Sequence, residues 1–459
     1  MPGNIGSLRA AAKKCWRSSV LATSFGATLL FLGSPAWAQG QAAADPNAPA
    51  LRLIKLIPIN GTAASPNTQM FSFDISFVDP ATGLYYLADR SNKALDVIDT
   101  TTDTLFGQIG GSAPGQANFA GDTGTSATSG PNGVVAASPC IFATDGPSRV
   151  VSFNSSVSFT AVASSVSTGG TMRVDEMAFD PLDRLLLVIN NADTPPFGTL
   201  ISVSATCGLT VGTKIVFNAA NRVNATNGAE QPVWVGGTTR RFFLSVPQFD
   251  GVASRGGVVQ ITASGVVEGI YQVNFCSPAG LTVGPNGDLL VGCNTVFDTS
   301  GNACTAVGTT AAAFVPAKCT GIANPQAAIC NPGRGCTPAN GSLVAVPGVG
   351  GGDEVWFNSG DQNYYVTAGN DPKAPVLGVI ASGATSTPNT LTQIVPTLYA
   401  QQAVGTAGTS SFVHSAGTVH SITASAANNH IYVALPANTA YQLNGVGCAQ
   451  GCIAVFSAQ

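Results

Sequence analysis

Between Phe73 and Leu435 the chain repeats one phrase seven times: FDISFVDPATGLYYLAD, PNGVVAASPCIFATD, VDEMAFDPLDRLLLVIN, EQPVWVGGTTRRFFLSV, PAGLTVGPNGDLLVGC, DEVWFNSGDQNYYVTA and HSITASAANNHIYVAL. In each, a short strand with apolar residues leads into a turn of Asp, Asn, Gly, Pro or Ser, and a second strand answers it. The first phrase continues through Leu95–Ile98 and Leu105–Ile109, so the full unit is a meander of short antiparallel strands. Such a unit cannot bury both of its faces alone. Copies must stack against one another, and this requirement limits the fold more than any other feature.

The phrases recur every 43 to 74 residues, leaving room for about four strands per repeat. That period predicts an all-β fold, a seven-bladed β-propeller, with six blades as the alternative. Leu51–Ile59 (LRLIKLIPI) precedes the first phrase and has no hairpin partner, while the chain ends on Cys452–Phe456. Pairing these two strands would close the ring through the last blade and remove an exposed sheet edge. Charged residues are only 9% of the chain, and Gly, Ser, Thr, Ala and Val abound, a composition that favours strands and turns over helices.

Residues 1–38 read as a signal peptide. Arg9, Lys13, Lys14 and Arg17 form a basic start, Val20–Leu32 an apolar core, and Ala36-Trp37-Ala38 a small-x-small cleavage site. The apolar run is short and interrupted, and no later segment reaches spanning length, so no membrane span is expected. The protein is expected in the periplasm or outside the cell, as a monomer. Residues 39–50 are rich in Ala, Pro and Gln and are expected to be disordered, leaving 51–459 as one propeller domain. Without the leader, 15 Lys+Arg stand against 23 Asp+Glu, a net charge of −8, which makes nucleic acid and anionic lipid poor partners for the surface.

Eleven cysteines become ten once Cys15 is set aside, an even count that predicts disulfides in an exported chain. Short separations favour Cys448 with Cys452, Cys330 with Cys336, Cys304 with Cys319 and Cys276 with Cys293, leaving Cys140 for Cys207. No CxxC pair occurs and no His lies among the clustered cysteines, which argues against a structural zinc site. Two stretches interrupt the period: a Gly/Ser/Ala/Thr-rich segment over 110–130, and a Cys-rich insertion at about 298–348 that is either a recognition surface or a tolerated surface loop.

In a propeller, the residues entering the innermost strands gather at one end of the axial tunnel. The position two before the first apolar strand residue of each phrase is Asp74, Asn132, Asp175, Gln231, Ala279, Asp353 and His420, with Glu176 and Glu354 one residue later. Oxygen ligands converging from several blades would suit Ca²⁺ or another divalent cation, held by Asp74, Asn132, Asp175, Asp353 and Glu354. His420 is the one histidine in this column and the candidate general base; His414 and His430 read as solvated or structural. The alternative is that these polar residues only hydrate the tunnel and bond neighbouring blades. Trp234 and Trp356 occupy equivalent strand positions and are expected to pack between blades. No nucleophile elbow, haem-attachment or phosphate-loop motif is present.

FVDPATGLYYLADRSNKALDVIDTTT and HSITASAANNHIYVAL resemble the YVTN-type and NHL-type repeats of bacterial exported propellers. GLTVGPNGDLLVGC is similar to repeats of the gluconolactonase/regucalcin-like superfamily. The resemblance implies either a ligand-binding or protein-interaction module, whose partner is a small molecule or a protein, or a metal-dependent lactonase-like hydrolase. Asn132-Gly133 matches the Asn-Gly phrase of such lactonases, but Ala279 stands where they carry a metal-ligating Asp, which removes one anionic ligand.

Overall fold

The computed structural model describes residues 50–61, 69–298, 300–304, 306–307, 315–316, 326–330, 344–347, 349–369, 376–382, 390–396, 419–439 and 441–458. The leader, nearly all of the segment expected to be disordered, His414 and most of the Cys-rich insertion, with Cys319 and Cys336, lie outside these residues.

The seven phrases fold as expected into strand–turn–strand hairpins. In the first, Ser76–Asp79 pairs antiparallel with Leu84–Asp89, followed by Ala94–Asp99 and Thr104–Gly110 in one four-stranded meander. The turn closes because the Asp79 carboxylate accepts from the Ala81 amide at 3.0 Å and the Thr82 hydroxyl at 2.9 Å, while Gly83 takes the left-handed conformation with φ +68°. The same device recurs with Asp180, whose carboxylate accepts from the Leu182 amide at 2.8 Å, and with Asn358, which accepts from the Gly360 amide at 3.1 Å.

Further four-stranded meanders start at Val134–Ala137, Met177–Asp180 and Val355–Asn358. The strands starting at Pro232–Val235 and at Cys276–Val283 form one eight-stranded sheet, whose halves meet through a single parallel pairing of Arg255 with Cys276. In the last sheet, Ile422–Ser425, His430–Leu435 and Cys452–Ala458 are joined by Leu51–Pro58 from the opposite end of the chain, in antiparallel register from Leu51↔Ala458 to Pro58↔Cys452. The result is an all-β propeller with six sheets of four or more strands, the count held above as the alternative to seven. Among the described residues the helices are three short 3₁₀ turns, and none is long and apolar enough to cross a membrane.

Each sheet is apolar on both faces because each faces two neighbours. From the strand Leu84–Asp89, Leu84, Tyr86 and Ala88 pack toward Ile141, Ala143 and Phe153 of the second sheet, while Tyr85 and Leu87 pack toward Tyr432, Ala434 and Val455 of the last. Alternate residues of one strand thus enter two different cores. Three of the expected disulfides are present: Cys140–Cys207, Cys276–Cys293 and Cys448–Cys452. The first and last strands of the ring touch as well, Ser76–Asp79 lying beside Ile422–Ser425, so the inner strands surround an axial channel.

Candidate functional site at the channel end

Four residues of the column enter their strands by one shared backbone bond, while in the fourth phrase Glu230, and not the expected Gln231, takes that place, its amide donating to Ser245 at 2.9 Å. The amide of Asp74 donates to Ala88 at 2.8 Å, that of Asn132 to Thr144 at 3.0 Å, that of Asp175 to Ile189 at 2.7 Å and that of Asp353 to Thr367 at 3.2 Å. Their carbonyls in turn join neighbouring sheets: Ile75 donates to Asn132, Gly133 to Asp175 and Glu354 to His420, each at 3.1 Å. The Gly133 position admits no side chain, since a Cβ there would lie 2.4 Å from the Asp175 carbonyl oxygen.

Two arginines that the column did not include occupy its centre. Arg90, just after the strand Leu84–Asp89, pairs with the Asp74 carboxylate and donates through Nε to Asn132 Oδ1 at 2.9 Å. Arg173, two residues before Asp175, reaches Asp175 at 2.6 Å, Asp74 at 3.4 Å and, through Nε, Asn191 Oδ1 at 3.1 Å. Asn191 donates to both Asp175 and Glu230, the latter at 3.2 Å. His420 Nε2 lies 3.4 Å from Asp74 Oδ1, and its ring stacks on Phe73 with centroids 5.1 Å apart. Asp74, Asn132, Asp175, Arg90 and Arg173 therefore form one mostly buried network around the end of the channel.

The electrostatics follow from this geometry. Burial alone would raise the Asp74 carboxyl, but Arg90, His420 and Arg173 together hold it well below the usual carboxylate range. Burial disfavours the Arg173 charge, and Asp175 and Asp74 more than restore it. Burial, with Asp74 and Glu230 nearby, pushes Asp175 upward in spite of Arg173. Burial raises Glu230 to about 7 and lifts Asp353 as well, the latter against the pull of His420. For His420, burial works against protonation, but the hydrogen bond to Asp74 and the charge of Asp353 outweigh it and raise the imidazole.

The expected metal ligands are therefore split in their roles. Asp74 and Asp175 give carboxylate oxygens to guanidinium groups. Asn132 accepts from Arg90 and donates through Nδ2 to the Val174 carbonyl at 2.8 Å. Glu354 turns between sheets and accepts from the Ile422 amide at 2.6 Å. Gln231 accepts from the Leu281 amide at 2.7 Å. Among the described residues no three His, Cys, Asp or Glu side chains are disposed to hold a metal ion. A cation at Asp74 and Asp175 would have to displace two arginines from their counter-ions, so the residues present do not fit it. Arg90 and Asn191 were legible in retrospect: each follows the second strand of its phrase at the same register, and Arg90 stands out in a chain with few charges.

On the other side of this network the channel widens into a cavity of about 720 Å³ lined by inner-strand residues, among them Phe77, Phe179, Val233, Trp234 and Trp356. Trp234 packs on Phe242 of its own sheet at 4.7 Å and adjoins a core shared with Ala178 and Leu187 of the neighbouring sheet. Trp356 meets Phe77 edge-on at 5.5 Å and adjoins a core shared with Ile422 and Ala424, and both tryptophans also face this space. The exposed turn residues Pro80, Ala81 and Pro181 border the cavity, which opens at the turn face.

No protein-family model matches this chain, and no curated protein does at a significant level. Solved structures share its fold. A chain of hydrazine synthase from Kuenenia stuttgartiensis is similar at 12% identity with TM-score 0.53, covering 84% of this chain and 99% of its own. A chain of the mitotic checkpoint complex is similar at 8% identity with TM-score 0.51, covering 94% and 98%. The β-propeller domain of Cps50 (Swd1) from Myceliophteria thermophila is similar at 9% identity with TM-score 0.50, covering 86% and 99%. At these identities the likeness establishes the propeller fold and nothing more.

Proposed function

We propose that this chain is an exported propeller of seven blades that works as a binding module for a small molecule or a protein. The count of seven divides the eight-stranded sheet at the Arg255–Cys276 pairing, because that one parallel bridge is all that joins its two antiparallel halves. Three disulfides support an oxidising compartment, as expected of an exported chain.

The observation that carries the binding reading is the pairing of Asp74 and Asp175 with Arg90 and Arg173. Groups that neutralise one another in a buried network brace the ends of the inner strands, leaving few oxygens for a cation. The second reading, a lactonase-like hydrolase with His420 as base and a divalent ion on Asp74, Asn132, Asp175, Asp353 and Glu354, draws on the contact between His420 and Asp74. That contact also weakens it, since Asp74 and Asp353 favour the protonated imidazole, the form that cannot accept a proton.

Metal analysis and a lactone-hydrolysis screen on the purified protein separate the two. The binding module shows no stoichiometric divalent ion, no turnover, and a melting temperature indifferent to Ca²⁺ or chelator. Stoichiometric metal with turnover that Asp175→Asn abolishes would establish the hydrolase instead.

A further inference from the structure

Glu176 is out of place in the wall of the axial cavity. The wall is mainly apolar and aromatic, Arg184 in it being bonded to the Val203 and Ser204 carbonyls, and Glu176, a residue only 8% exposed, adds a carboxyl group to it. Among the described residues no group gives that carboxyl a hydrogen bond. Its counterpart in the sixth phrase, Glu354, accepts from the Ile422 amide. Buried polar groups are nearly always bonded, and one that is not calls for an explanation.

The charges around Glu176 indicate what would satisfy it. Burial, with Asp175, Glu354, Glu230 and Asp353 acting on it, raises its carboxyl well above the ordinary range, and none of its principal electrostatic neighbours is a cation. Arg90, Arg173 and His420 are engaged with Asp74 or Asp175 on the other side of the network. The inner end of the cavity therefore has a surplus of acid, which attracts a positive group. Its walls offer the indoles of Trp234 and Trp356 and the rings of Phe77 and Phe179, surfaces that take an apolar body and favour a cation nearby. A space of about 720 Å³ lies in the usual range for small-molecule sites.

We propose that the axial cavity binds an organic monoamine, its aliphatic or aromatic body held between Trp234, Trp356 and the phenylalanines and its ammonium group on the Glu176 carboxylate. This rests on the binding-module reading and names a ligand class for it. Glu176 serves here as a binding group, and no covalent step is involved.

The chain itself provides the reporter. It has four tryptophans, and once Trp16→Phe and Trp37→Phe are introduced the remaining two, Trp234 and Trp356, both line the cavity. In that full-length protein, 4-phenylbutylamine should change tryptophan emission saturably and bind at least about tenfold more tightly than 4-phenylbutanol, which has the same skeleton without the charge. Glu176→Gln should remove the amine's advantage while leaving the alcohol's binding unchanged, and that unchanged binding reports an intact cavity. Equal affinity for amine and alcohol in the unaltered site overturns the proposal without any variant, as does amine affinity that survives Glu176→Gln. An absence of saturable response to either probe also overturns it. The metal and lactone assays judge the binding-module reading separately, so the two can fail independently.

Discussion

Asp74 Oδ1 and His420 Nε2 lie 3.4 Å apart, although they belong to the first and the last of the seven phrases. Their contact crosses the join of the ring, where Ser76–Asp79 lies beside Ile422–Ser425. Ring closure and the charged network are thus coupled at this point: the sheet completed by Leu51–Pro58 brings His420 to the carboxylate that also neutralises two arginines.

Asp74→Asn should be strongly destabilising. It leaves Arg90 and Arg173 buried with one counter-ion fewer, and breaking one side of a buried pair costs about 3–5 kcal/mol. Urea unfolding measures this directly. A loss below about 1 kcal/mol would show that the network contributes little to holding the channel end.

Stability should fall with rising pH through His420. The folded protein raises this imidazole above its ordinary value of 6.5, so in the interval between the two values the folded state binds more protons than the unfolded chain. The contribution is complete below about 6.5 and disappears as pH rises through the folded-state value. His420→Gln should flatten the melting temperature between pH 6 and 8. An unchanged slope would assign the pH dependence to other groups.

A buried acid pair in the first sheet gives a second pH effect. Burial raises Asp89 to about 6, and burial together with Asp89 raises Asp96 well above its ordinary range. A raised carboxyl binds its proton more firmly in the folded state, so stability declines as pH climbs from about 4 upward. Asp96→Asn keeps an oxygen for the Gln108 amide, which now donates to Asp96 Oδ1 at 2.7 Å, and removes the ionisation. The gain should be larger at pH 8 than at pH 5, read from denaturant midpoints at the two pH values. Equal effects at the two pH values would refute the assignment.

Disulfide removal should rank by loop length. Cys140 and Cys207 are 67 residues apart and join neighbouring sheets, whereas Cys448 and Cys452 are 4 apart. Loop-closure entropy gives about 4 kcal/mol for the first and about 2 kcal/mol for the second. Double Cys→Ala variants, compared by equilibrium unfolding, should keep that order, and a reversed order would mean that chain entropy is not the controlling factor.

Much of the fold was legible because its causes are local. The Asp79-Pro80-Ala81-Thr82-Gly83 turn is made by an Asp side chain bonding its own loop and a glycine with positive φ, both visible as residue types. Alternation in Leu84–Asp89 announced a strand with two apolar faces, and two neighbouring sheets cover them. The register of the column was legible too, since Asp74, Asn132, Asp175 and Asp353 enter their strands by the same amide bond. What those side chains bond to was not. Arg90 and Arg173 lie off the column in sequence, Glu230 holds the place given to Gln231, and the Arg255–Cys276 pairing that merges two sets of hairpins into one eight-stranded sheet leaves no mark on periodicity.

By itself, then, the sequence determined a stacked array of hairpins, closed by its own first strand, because turn chemistry and apolar alternation act within a few residues. Only the tertiary structure decided that Asp74 and Asp175 face arginines, and that Glu176 stands without a donor beside an aromatic cavity. Coulomb energy and desolvation depend on distance in space, and the ring brings together residues that the chain keeps hundreds of positions apart.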